Sequence, residues 1–379
     1  MAALLTEFLH DAARRAAEIS KELADLRGQI PSEVEAYRAR MHGMAVRARA
    51  LADAMLADPD LEDPQYGTNY FRDYRQVARL VQALENLPVL VLRRFSGPDL
   101  AVTALMRAIC TEIGYPFTAP ICSSISSQYY WTMPDMDLVF VPSLEPDHLL
   151  GLADIYHELG HIVLFRERLR LEYPALAMVD KFYDQIIANA QSGNWPQQSL
   201  IEVEQFRHRW RQSWLLEFSS DLIATYLVGP AFGWCNIRTS TNLGGDLFGG
   251  NESHPADDAR AEAIAMMLEY GGHAESATTI RGRWAELIAL SNESKPPRYE
   301  LAYPPDLVRE LAEFIGVGCQ ALGLKAWTTS SQGTAPVTYA VNEAWREFRE
   351  RPATFGEYER ESLSKILAVV GGGSGGCAT

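Results

Sequence analysis

The stretch LADIYHELGHIVLFRERLR, residues 152–170, decides how this chain is read. It has a helical pattern, and inside it stands HELGH, His157 to His161. On a helix, residues i and i+4 lie one turn apart on the same face, so both imidazoles can turn toward one ion, at about 2.0–2.1 Å if that ion is zinc. Glu158 is offset by one residue. It falls beside a metal-bound water rather than among the ligands, which is the general-base position of an HExxH site. Gly160 costs a helix interior roughly 1 kcal/mol against Ala, and points to a close neighbour packed beneath the site.

Two imidazoles and a water leave zinc one protein ligand short. The segment WLLEFSSDLIATYLVGP, residues 214–230, supplies a candidate: Glu217 and Asp221 stand at i and i+4 in an otherwise apolar helix. Carboxylates among such residues are costly unless paired or metal-bound. Glu217 is the expected third ligand. Asp221, one turn on, is placed to accept the Nδ1 proton of a metal-bound His and hold its tautomer. The competing reading makes the two carboxylates a solvated stripe.

HExxH, 55 intervening residues and then ExxxD resembles the gluzincin zinc metallopeptidases. The segment SHPADDAR, residues 253–260, is similar to the HPxxxxR signature that follows the ExxxD helix in the CAAX-prenyl endopeptidase and heat-shock membrane metallopeptidase branch. The resemblance implies zinc held by His157, His161 and Glu217, with Glu158 as base. It also implies that Asp221 orients a ligating His, and that His254 and Arg260 face the scissile carbonyl as catalytic groups. In some relatives the His of this signature caps the metal instead. That branch is typically attached to membranes, whereas this chain has no apolar run near the roughly 18 residues a span needs. The likeness covers residues 137–270.

Physical reading of the same segment puts Pro255 in the first turn of a helix and Asp257 and Asp258 at its positive end, with His254 at the entrance. The alternative is a plain helix entry in which Arg260 pairs with Asp257 or Asp258. Asp154, three residues before His157, is a further candidate support for the ligands; Tyr129, Tyr130 and Trp131 are candidate cleft walls. DLVFVP, Asp137 to Pro142, reads as a strand, and as the edge that an extended peptide would join.

Composition limits what surrounds the motif. The chain has 379 residues, 47% hydrophobic and 22% charged, with a formal net charge of −15. These values fit a globular protein with a sizeable core, and the acidic balance argues against a nucleic-acid partner. Glu7, His10 and Asp11 interrupt what would be the apolar core of a secretory signal. Five scattered cysteines without a CxxC pair fit reduced thiols. A soluble, cytoplasmic protein is expected, of unspecified oligomeric state, acting on a protein or peptide.

The expected fold is α+β and predominantly α-helical, a zincin-like core with a small β-sheet and an N-terminal helical hairpin. The hairpin is broken at Gly28 and Pro31. Helices are expected over 70–84 and 99–113, with residues 87–92 a short buried strand between them. A long helix should open at Pro146 and Asp147 and run to about Arg170, and another should span 199–228, joined by a partly helical stretch near 173–190. Residues 236–253 read as a Gly/Ser/Asn-rich loop, either a connector or a flap. Helices resume at Pro255, Thr278, Asp306, Val337 and Phe355. The expected regions are 1–95, 96–275, 276–369 and a Gly-rich tail at 370–379.

A zinc metallopeptidase is the function this reading favours. Two rivals stay open: a zincin-like binding protein whose metal site is closed, and a helical interaction protein in which HExxH is accidental.

Overall fold

The computed structural model describes residues 2–372 apart from 127–128, 144–147, 194, 245 and 331–332. The expected helix opening at Pro146 and Asp147, Cys377 and most of the Gly-rich tail lie outside the described residues. The chain divides into two compact units, residues 1–100 and 101–379.

In the first unit, α1 (Ala2–Asp25) and α2 (Ser32–Leu56) form the hairpin, turned by Gly28 at a left-handed φ of 74°. A 3-10 turn (Pro59–Glu62) leads to α3 (Gly67–Asn86), which packs on both. Leu9, Leu23, Val34, Met41, Val81 and Leu84 fill the space between them. The buried Arg38 is neutralised by Glu35 and donates to the Leu23 carbonyl at 2.7 Å. The expected strand at 87–92 is instead α4 (Pro88–Arg94). An apolar run this short carries no period that separates strand from buried helix, and Pro88 at the first helical position favours helix.

The second unit contains a three-stranded sheet of β1 (Ile121–Ser126), β2 (Trp131–Met133) and β3 (Leu138–Pro142), in the order β1-β3-β2. β1 pairs parallel with β3, and β2 antiparallel. The expected strand is therefore present, but β3 is central and not an edge. Its run Leu138 to Val141 is buried throughout, as an inner strand requires. β2 forms an edge, its Trp131 stacked on Phe140 at 3.9 Å between centroids.

The remaining elements are helical. After α5 (Gly97–Glu112) and the sheet come a 3-10 turn (Leu150–Leu152) and α6 (Ala153–Arg166), then α7 (Glu172–Ser192) and α8 (Gln197–Arg209). The helical path continues through a π turn (Trp210–Trp214) into α9 (Leu215–Val228). α10 (Pro230–Leu243) replaces the first half of the expected loop. Then follow α11 (Asp257–Tyr270), α12 (Ala274–Ser291), a short α13 (Tyr299–Ala302), α14 (Pro305–Ala321), α15 (Pro336–Glu350) and α16 (Phe355–Gly372).

α9 lies at the centre, packed against α6, α10, α11 and α14. Both α6 and α9 are apolar nearly all round, the composition of a helix buried on every side. The C-terminal helices share this core through Leu311, Ile315, Val341 and Trp345, so the expected boundary at 275–276 falls inside it. The whole is α+β and predominantly helical. Among the described residues, no helix is long and apolar enough to cross a membrane.

Candidate metal centre and cleft

The centre forms where α6 crosses α9. The helices meet at Gly160, where a Cβ would lie 2.9 Å from Ser220 Cα. Only glycine permits that approach, which explains a residue that helix propensity alone disfavours. The close crossing lets His157 and His161 on one helix face Glu217 on the other.

Their donor atoms converge. The two Nε2 atoms are 3.1 Å apart. His157 Nε2 lies 3.5 Å from Glu217 Oε2, and His161 Nε2 lies 3.5 Å from Oε1. Ligands about 2.0–2.1 Å from a tetrahedral ion stand roughly 3.3 Å from one another. The spacing therefore fits a zinc-sized cation. Among the described residues these three form the group whose donor atoms all lie within 4.8 Å of one another.

A buried chain of charge supports His157. Its Nδ1 lies 2.8 Å from Asp221 Oδ1, and Asp221 is fully buried. Arg260 closes the chain, Nε to Oδ2 and Nη2 to Oδ1, both at 2.7 Å. Burial alone would push the Asp221 carboxyl up, but Arg260 and His157 outweigh it and hold the carboxyl low. Burial likewise opposes a charge on Glu217, and His157, His161 and Arg260 overcome it. The two imidazoles diverge: both are disfavoured by burial, yet Asp221 and Glu217 raise His157, whereas His161 is lowered, with His157 adding to the effect of burial.

Glu158 lines the same cleft, and burial pushes its carboxyl up to about 8 against the opposing pull of His157. Arg260 also lines the cleft. Two of its nitrogens are engaged by Asp221, while Asp258 is taken by Trp284 and Lys295.

His254 approaches from the other side, its Nε2 3.7 Å from Glu217 Oε2 and its side chain half exposed. The helix after it starts later than expected: α11 begins at Asp257, so Pro255 lies before the first turn. The loop carrying His254 is pinned. Trp214 Nε1 donates to the Asn251 carbonyl at 2.8 Å, Ala256 N to Tyr303 Oη at 2.9 Å, and Asp258 N to the Leu247 carbonyl at 2.9 Å. Trp214 reaches the loop from the π turn, a distortion frequent at functional sites.

The cleft has a volume of about 780 Å³. Besides the metal-centre residues it is lined by Tyr129, Tyr130 and Trp131, and by Phe232, Asn236 and Thr239 of α10. Tyr129 Oη donates to Asp154, which also accepts from Cys235 Sγ at 3.0 Å; burial holds the Asp154 carboxyl up. The α10 wall was not foreseen. Its signal was present, since residues 232, 236 and 239 recur at helical spacing, but the Gly/Ser/Asn-rich composition just after it suggested a loop. A larger hollow of about 1390 Å³ along α7 and α8 holds no converging ligand group among the described residues. No known protein family, curated protein or solved structure matches this chain.

Proposed function

We propose that the protein is a zinc-dependent metallopeptidase with a zincin-like core, in which His157, His161 and Glu217 hold the ion. The observation that carries this reading is the convergence of an imidazole pair and a carboxylate from two crossing helices, with a buried Glu158 beside them in an accessible cleft. Zinc bound there would polarise a peptide carbonyl and lower the pKa of its water toward about 7.

Glu158 accepts a proton from the attacking water and returns it to the leaving nitrogen, a role its raised carboxyl suits because a base works best near the operating pH. Asp221 fixes His157 with Nε2 toward the ion, and Arg260 keeps Asp221 ionised where burial alone would not. His254 contacts the bound peptide beside the reacting bond. The substrate is a protein or peptide, and the exposed edge of β2 beside the cleft offers an extended backbone a strand to pair with. A reducing, cytoplasmic setting suits the buried thiols of Cys110, Cys122, Cys235 and Cys319.

Metal analysis of the purified chain tests the centre. About one zinc per chain is expected, lost in His157→Ala. Glu158→Gln should keep the metal and lose hydrolysis by roughly 10²–10⁴-fold in a proteome-wide cleavage comparison with the wild type. Equal cleavage by the two proteins would refute the assigned base.

A further inference from the structure

One face of α10 is turned to the cleft. Phe232, Asn236, Thr239 and Ser240 line it, at the i, i+4, i+7 and i+8 spacing of a single helical face. Phe232 lies against the His157 ring, the two centroids 5.9 Å apart and the planes 15° from parallel. Further along, Thr239 Oγ1 is 3.0 Å from the Tyr129 hydroxyl. Asn236 stands between these two contacts, only 6% exposed, and its buried Nδ2 has no hydrogen-bond partner among the described residues.

A buried amide without a partner destabilises the free protein, because the bonds it made to water are lost and none replaces them. The large majority of buried polar side-chain atoms are paired, so one left open on the lining of a cleft points to a partner that arrives from outside. An NH₂ group donates, and its partner is therefore an acceptor. The carboxyl groups of Asp154, Glu158, Glu217, Asp246 and Asp257 line the same cleft and disfavour an anionic one. A neutral carbonyl fits. Trp131 and Thr132 of the β2 edge form another wall of this cleft. An extended peptide paired along such an edge directs every second carbonyl away from the strand, and once water is displaced each of those oxygens needs a donor.

We propose that Asn236 is a substrate-binding residue whose Nδ2 donates to a main-chain carbonyl of an extended peptide in the cleft. The peptide as occupant rests on the metallopeptidase reading, whereas the open amide is a property of the free chain.

Substitutions at this position in the full-length, zinc-loaded protein test the inference. Asn236→Leu keeps the shape and removes the amide, so the thermal midpoint of the free protein should rise by about 1–3 °C with zinc content unchanged. An asparagine that served the fold would give a fall instead. With a casein-derived peptide mixture as probe, Asn236→Leu and Asn236→Ala should each raise the apparent KM about 3–10-fold with kcat little changed, since the lost bond holds the substrate before and during reaction alike. Glu158→Gln reports binding of the same peptides without turnover, and adding Asn236→Leu to it should weaken that binding by the same factor. A lower midpoint in both variants, or a KM unchanged in both, overturns the proposal while leaving the peptidase reading in place. If the wild type cleaves nothing, the peptidase reading fails and binding decides: weaker binding with Asn236→Leu supports the proposal, and equal binding or none overturns it.

Discussion

His157 and His254 approach the same oxygen of Glu217, Oε2, at 3.5 and 3.7 Å, yet they are held there by different means. His157 sits on a buried helix with its side chain only 10% exposed, backed by Asp221 and Arg260. His254 stands on an irregular segment, 53% exposed, positioned by Asn251 and Ser253. Burial makes the first arrangement expensive to disturb, because any group left without its partner is also without water. The second is bathed by solvent, so its bonds contribute little to folding and act mainly on geometry.

The largest effect should come from breaking the support of His157. Asp221→Ala leaves the buried Arg260 guanidinium without its hydrogen-bonded counter-charge, which should cost about 3–5 kcal/mol in denaturant unfolding. Removing both charges, as Asp221→Asn with Arg260→Met, should recover most of that loss because the desolvation penalty goes with them. A cost below about 1 kcal/mol for Asp221→Ala would show that the chain of charge is not a coupled buried unit.

The next effect comes from the helix crossing itself. Gly160→Ala brings a Cβ to 2.9 Å from the Ser220 main chain, so α6 and α9 must part. Overpacking of this kind costs about 1–3 kcal/mol, more than the gain in helix propensity of roughly 1 kcal/mol. A lower thermal midpoint and weaker zinc retention are expected together, since the same crossing sets the distance from the imidazoles to Glu217. Trp214→Phe removes both the N–H that holds the Asn251 carbonyl and part of a buried ring stacked on Tyr303, so a loss of about 1–3 kcal/mol should follow. Its mark should be a change in the His254 ring NMR signals with zinc binding unaltered, and loss of zinc in that variant would mean that the two sides of the cleft are not independently held.

The same contrast explains what could be read from the sequence. His157, His161, Glu217 and Asp221 are separated by one helical turn within each pair, so periodicity alone gives their faces, and the apolar context gives their burial. The packing reason for Gly160 was legible for the same reason. Arg260 was not: which carboxylate a cation reaches depends on how α11 packs on α9, and the nearer Asp257 and Asp258 are equally plausible in sequence. The strand order was also out of reach. DLVFVP announces a strand, but its central place depends on pairing with β1 and β2, which are short and lack a decisive alternation. At 87–92 and 236–243 the composition pointed to strand and loop, and tertiary packing made both helical.

The smallest effect sharpens the comparison by reversing its sign. Gly282 lies inside α12, exposed, with nothing within 4 Å of where a Cβ would stand. Substitution by Ala there removes backbone freedom from the unfolded chain and adds no clash, so stability should rise by about 0.5–1 kcal/mol. Two helical glycines given the same methyl group should thus move the thermal midpoint in opposite directions, down at Gly160 and up at Gly282. If Gly160→Ala also stabilised the protein, the crossing would be loose enough to absorb a methyl group. The close approach of the two helices would then no longer account for the alignment of His157 and His161 with Glu217.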